Sequence, residues 1–204
     1  MAYILADGIS YSRGERTIFS HVNFSIEPSE MVLIKGPSGS WKTTLLKVLW
    51  GLIDENEGNL KRSFSSKDRI EVCGFHFVDG PFLEYLTVEE NLLILEIFAG
   101  ISISRENLSI LTERFEIAWL LSRKISSLSS WQRERVSLIR SFLHNPQIVF
   151  LDEPGSNLDG NMWKKVKTFL LEELKKWTSL ILSTHASYWD DFAKDTIELP
   201  LYES

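Results

Sequence analysis

Cysteine is almost missing from this sequence: Cys73 stands alone among 204 residues. A single thiol cannot close an internal disulfide, so a stapled secreted scaffold is excluded, and a buried Cys73 in a reducing compartment is expected. Long hydrophobic runs are missing too. The best candidate, Leu92 to Ala99, is interrupted by Glu96 and falls far short of the ~20 apolar residues that cross a bilayer. The start, MAYILADGISYSRGE, has neither a basic leader nor a sustained apolar stretch, so no signal peptide is expected. Basic charge is in deficit, with 22 Lys and Arg against 28 Asp and Glu, a formal charge of −6. That balance disfavours a general nucleic-acid or anionic-membrane binder. Repeats and low-complexity tracts are absent as well. Attachment to a membrane would have to run through a partner.

What is present suffices for one globular domain: 44% of the residues are hydrophobic, enough for a sizeable core. Strands are expected at Tyr3–Leu5, Val22–Ile26 and Met31–Lys35, the last a continuous apolar run of the kind buried on both faces. Thr43–Trp50 has a helical pattern closed by Gly51. The stretch 86–127 reads as helix-rich, with Thr87 as an N-cap ahead of Glu89 and Glu90. An amphipathic helix is expected over Gln132–His144, stopped by Pro146. Ile148–Leu151 and Ser179–Ser183 read as buried strands, with a helix over Met162–Trp177 between them. Alternating strands and helices predict a mainly parallel sheet whose ligands sit beyond the carboxyl ends of its strands. Gly36, Asp152 and His185 all fall at such ends.

The chemistry concentrates at those three places. Residues 36–44 read GPSGSWKTT, a strand-to-helix phosphate loop in all but one position. Backbone amides of Gly36, Pro37, Ser38, Gly39, Ser40 and Trp41, proline excepted, with those opening the next helix, would cradle phosphate oxygens. Lys42 would reach the β- and γ-phosphates, and Thr43, followed by Thr44, would offer a hydroxyl to magnesium. The strand IVFL then delivers Asp152, placed to hold magnesium, and Glu153, placed to polarise an attacking water.

With these elements in order, the chain resembles the nucleotide-binding subunits of ABC transporters over nearly its whole length. The resemblance identifies residues 36–44 with Walker A, 148–153 with Walker B and Ser156–Asp159 with the D-loop. His185 then matches the switch histidine, and Tyr11 the aromatic that stacks on adenine. Leu128-Ser129-Ser130-Trp131-Gln132 is similar to the LSGGQ signature, which contacts the ATP of a partner subunit. The resemblance implies a P-loop NTPase of the α/β class with a mainly parallel central sheet, an N-terminal antiparallel part and a helical subdomain at about 86–145. All of it would lie in a single domain, 1–204. It also implies ATP and Mg2+ as ligands, Glu153 and His185 as catalytic groups, and Thr43 and Asp152 at the metal. Two such subunits, identical or different, would close head to tail on ATP, docked near Phe82–Leu86 to a transmembrane transporter subunit. The location expected is cytoplasmic, peripheral on the inner face of the cell membrane, with no nucleic-acid partner. The short length is similar to stand-alone subunits of the cytochrome c maturation haem exporter, which implies ATP-driven export.

Three departures bear on activity. Trp41 replaces the glycine before the lysine. Ser130 and Trp131 replace the two signature glycines. Val78 stands where the family has a glutamine, with His76 as a poorly spaced substitute. If position 41 requires positive φ, a side chain there costs on the order of 1–2 kcal/mol. An indole would further be expected to compete for phosphate space or to wedge the helix off its strand. Both composite sites of a dimer would then be damaged, leaving an impaired ATPase or a silent scaffold subunit as alternatives. Glycine and tryptophan codons can differ at one base, so a single kind of change would produce both substitutions. Trp50, Trp119 and Trp177 are expected to pack in the core or on the surface.

Overall fold

Val32, Leu33 and Ile34 are fully buried because their strand, β3 (Met31–Lys35), pairs on both edges and is covered on both faces. The computed structural model describes residues 3–77, 80–187 and 189–199. β3 lies in a five-stranded sheet with β5 (Cys73–His76), β6 (Ile148–Asp152), β7 (Ser179–Thr184) and β8 (Asp195–Glu198). The order is β5-β6-β7-β3-β8, and every pairing is parallel. Side chains of successive residues go to opposite faces. Thus Met31, Leu33, Val149, Leu151, Leu180 and Leu182 join one core, and Val32, Ile34, Ile148, Phe150 and Ile181 the other.

The second core is closed by a separate three-stranded antiparallel sheet. It is formed by β1 (Ile4–Arg13), β2 (Arg16–Ile26) and β4 (Glu57–Arg62), in the order β2-β1-β4. β1 and β2 reach well beyond the strands expected from the sequence. Their pairing shifts register after Ala6, Ile9 and Tyr11, which breaks the alternation of buried and exposed residues that would reveal the full length. Gly14 turns the hairpin with φ 63°. β4, mostly exposed, has no apolar pattern to announce it.

α1 (Lys42–Trp50) lies against the parallel sheet and ends at Gly51, left-handed at φ 82°. The short helices α2 (Arg69–Val72), α3 (Val88–Leu92) and α4 (Ile94–Ala99) and the longer α5 (Arg105–Arg114) occupy the middle of the chain. Thr87 opens α3 with a capping box, its Oγ1 accepting from the Glu90 amide while Glu90 Oε2 accepts from the Thr87 amide. α6 spans Ser130–Phe142 and α7 Gly160–Lys175. α6 starts two residues before the expected Gln132, because Gln132 is itself the third residue of a capping box on Ser129. Among the described residues, no helix is long and apolar enough to cross a membrane.

Candidate functional site

In the sheet β7 lies between β6 and β3, so the carboxyl ends of these three strands open side by side. β3 runs into the loop at Gly36, β6 ends in Asp152, and His185 follows β7. Gly36 is tightly enclosed: a Cβ there would displace the Ser40 hydroxyl and crowd the Ser40 Cβ. The loop folds on itself as the Ser40 amide donates to Pro37 O at 3.1 Å. The amides of Thr44 and Leu45 both reach Trp41 O, at 2.9 and 3.0 Å. Those of Lys42 and Thr43, like any helix start, lack an intrahelical acceptor, and such amides are what binds a phosphate.

Around this loop the charged groups form one connected set. Lys42, 6% exposed, donates from Nζ to Gly36 O at 2.8 Å and Pro37 O at 3.0 Å, and pairs with Glu153 Oε1 at 2.9 Å. Glu153 Oε2 lies 2.7 Å from His185 Nδ1. The Thr43 hydroxyl donates to Asp152 Oδ2 at 2.7 Å, and the Ser183 hydroxyl to Asp152 Oδ1 at 2.7 Å. Glu153 adopts a left-handed φ of 46° and donates its amide to Ser183 Oγ at 2.9 Å. Strain of this kind costs on the order of 1–3 kcal/mol and persists only where neighbours fix the backbone. Ser183 is a contributor the sequence reading missed; its signal is a hydroxyl directly after the apolar run Leu180–Leu182 of β7.

A cleft of about 890 Å³ opens beside these groups, lined by Ser38–Thr44, Asp152 and Glu153 together with Tyr11, Ile18 and Ile53; His185 is not part of the lining. Tyr11 packs against Phe19, with ring centroids 6.0 Å apart, and borders the same space. Trp41 is left-handed at φ 64° and ψ 22°. Its indole is half-buried against the second core, beneath Arg16, whose guanidinium carbon lies 5.7 Å from the ring centroid. The buried Nε1 has no hydrogen-bond partner among the described residues. The expected wedging of the helix does not occur. Leu45, Leu46, Val48 and Leu49 of α1 are all fully buried, with the indole packed against the second core beside them. It does line the cleft.

Ser129, Ser130, Trp131 and Gln132 are not part of this cleft lining. They form the start of α6, where Gln132 is buried as a capping partner. Trp131 is 39% exposed, and its ring stacks on the Arg135 guanidinium at 4.4 Å. His76 is no substitute for the family glutamine: it is fully buried, with Nδ1 3.0 Å from the Ser137 hydroxyl on α6, and absent from the lining. It ends β5 as an inward residue, and burial lowers its pKa to about 3. Val78 lies outside the described residues. Glu134, also missed, is a buried carboxylate beneath the loop that follows Glu153.

A family model described as ABC transporter matches residues 19–156. A Staphylococcus aureus (strain MRSA252) protein bearing the name hemin import ATP-binding protein HrtA is 30% identical over 214 residues, 98% of this chain and 97% of its own length. Among solved structures, a dimeric bacterial ABC transporter cassette is 25% identical with a TM-score of 0.83, covering 96% of this chain and 94% of its own. An ABC transporter ATP-binding subunit has a TM-score of 0.85 at 21% identity, covering 97% and 85%.

Proposed function

The chain belongs to the ABC transporter family as an ATP-binding subunit, and from that premise we propose that it hydrolyses ATP to drive a transmembrane partner. The observation that carries this reading is the Glu153 carboxylate held between Lys42 and His185. In the proposed reaction the loop amides and Lys42 bind the triphosphate, and Lys42 leaves Glu153 Oε1 as it does so. Glu153 then accepts the proton of the attacking water, and His185 orients that carboxylate. Tyr11 and Ile18, which line the same cleft, suit the flat face of the base.

The Thr43 hydroxyl and the Asp152 carboxylate fit Mg2+, a hard cation that takes oxygen ligands. Among the described residues no cluster of three or more His, Cys, Asp or Glu could hold a metal by itself. That also suits Mg2+, which is bound by one or two protein groups together with substrate phosphates. When bound it would neutralise charge building up on the phosphate oxygens.

Ser129–Gln132 at the start of α6 serve, in this proposal, the ATP of a second subunit in a head-to-tail dimer. The helix-rich stretch 86–145 acts as the subdomain carrying them. The transmembrane partner docks where Leu83, Ile94, Leu95 and Phe98 line an apolar hollow of about 350 Å³. The HrtA relatives are named for hemin import, whereas the resemblance seen in the sequence pointed to haem export. We carry over the porphyrin cargo, which the two share, and leave the direction to a transport assay. A second reading, a subunit that binds without turnover, is favoured by Trp41, whose left-handed indole borders the phosphate loop. Calorimetric titration with Mg–ATP tests the site. The Trp41→Gly chain is expected to bind and Trp41→Gly/Lys42→Ala to lose binding; equal binding by both would overturn the assignment of the loop.

A further inference from the structure

Glu134 is 1% exposed, and among the described residues no cation forms an ion pair with it. Its partners are amides. Oε1 accepts from the Gly155 amide at 2.5 Å and Oε2 from the Asn157 amide at 2.9 Å. A buried carboxylate is costly unless its oxygens are satisfied by strong, charge-assisted bonds. Here both oxygens are spent on one short loop, the one that leaves Glu153. From the other side the loop is pressed on Trp163, since a Cβ on Gly155 would strike that ring. Trp163 is in turn edge-on to the fully buried Trp189 at 5.2 Å. A second tie runs parallel to the first. Arg135, one residue further along α6, reaches Asp159 Oδ2 at 3.9 Å, at the far end of the same loop.

We propose that Glu134 is a positioning residue, whose carboxylate clamps the 155–157 loop to α6 and so fixes the strained backbone of Glu153. This rests on the ATPase reading given above. The start of α6 carries Ser129–Gln132, assigned there to the partner's ATP. Glu134 therefore joins the group sensing one ATP to the carboxylate acting on the other, over less than two turns of helix. Without this clamp, the described hydrogen bonds left to the Glu153 backbone are those of its amide to Ser183 and of the Ser156 amide to its carbonyl, the latter within the freed loop. Glu153 can then leave its left-handed conformation, while Lys42 and the phosphate loop keep their own bonds to Gly36 and Pro37.

The test compares Glu134→Ala and Glu134→Gln in the Trp41→Gly/Trp131→Gly chain, by steady-state kinetics and by hydrogen exchange. Glu134→Ala is expected to lower kcat about tenfold or more with KM for Mg–ATP within about twofold, as for loss of orientation rather than binding. Exchange over 153–159 should speed at least about tenfold while that of α6 is unchanged. Glu134→Gln, which keeps an acceptor oxygen, should recover part of both. Unchanged kcat, or unchanged loop exchange, in Glu134→Ala would overturn the proposal. So would a KM rise equal to the fall in kcat/KM. If the parent chain shows no turnover, the ATPase reading fails by itself and loop exchange alone decides the clamp.

Discussion

Lys42 Nζ lies 2.9 Å from Glu153 Oε1, so the lysine opening α1 and the carboxylate after β6 form one ion pair. ATP phosphates and Glu153 would then compete for the same ammonium.

Neutralising Glu153 should separate binding from chemistry. In the Trp41→Gly/Trp131→Gly chain, Glu153→Gln is expected to lower turnover by roughly 10²–10⁴-fold, the usual contribution of a general base. ATP affinity should hold or rise, because the lysine no longer has a competing anion. Calorimetry beside a phosphate-release assay checks this. A parallel loss of affinity and turnover would show Glu153 to be a structural counter-ion.

Trp177 offers a test of backbone strain without a packing term. It follows α7 with φ 76° and is 71% exposed, at a helix end where glycine is preferred. Trp177→Gly is expected to stabilise the protein by about 1 kcal/mol, read from denaturant unfolding. A destabilisation would mean that the exposed indole makes contacts worth more than the strain. Trp41 shares the left-handed backbone, but its indole is half-buried. Its replacement by glycine should change stability little and nucleotide affinity much.

Trp41, Trp131 and Trp177 thus stand where glycine fits by motif, by backbone, or by both. A glycine codon becomes a tryptophan codon through one base. Peptide mass spectrometry of the protein made in its own cells is expected to find glycine at these three positions. Tryptophan at all three would show the side chains to be native.

Acid should weaken the fold through His76. Its ordinary pKa of 6.5 falls to about 3, because burial and, secondarily, Arg140 disfavour the imidazolium. The unfolded chain therefore binds a proton below pH 6.5 that the folded chain refuses. Stability from this group is complete above pH 6.5 and is lost by about 1.4 kcal/mol per unit between there and about pH 3. His144, lowered mainly by burial, adds in the same direction. Urea midpoints from pH 7.5 to 5 should decline, and His76→Gln should flatten that decline. An equal slope in the variant would exclude His76 as the source.

Cys73 should be inert while the protein is folded. Burial raises its thiol pKa to about 12, so the reactive thiolate is scarce at neutral pH. Iodoacetamide is expected to label it only in denaturant; prompt labelling of the folded protein would place it at an accessible surface.

The phosphate loop, Asp152, Glu153 and His185 are legible in the sequence because each ends an apolar run, and strand ends of a parallel sheet converge. The same logic misleads at His76. It stands two positions before Val78, but it ends β5 fully buried against α6, where its Nδ1 meets the Ser137 hydroxyl. Glu134 and Ser183 escape notice for another reason. Their importance comes from hydrogen bonds to residues 21 and more positions away, which no local pattern records. The long antiparallel hairpin is hidden by register shifts that break its alternation. Trp41 is legible as a departure, but its direction is not. The structure sends the indole to the cleft wall under Arg16 and leaves α1 seated.

The most direct measurement is steady-state Mg–ATP hydrolysis by the chain as it stands and by Trp41→Gly/Trp131→Gly, each paired with Glu153→Gln. The double variant is predicted to turn over ATP at least about tenfold faster than the parent, with Glu153→Gln abolishing that gain. No turnover in the double variant, or turnover that survives Glu153→Gln, would contradict an ATPase built on Lys42, Asp152 and Glu153.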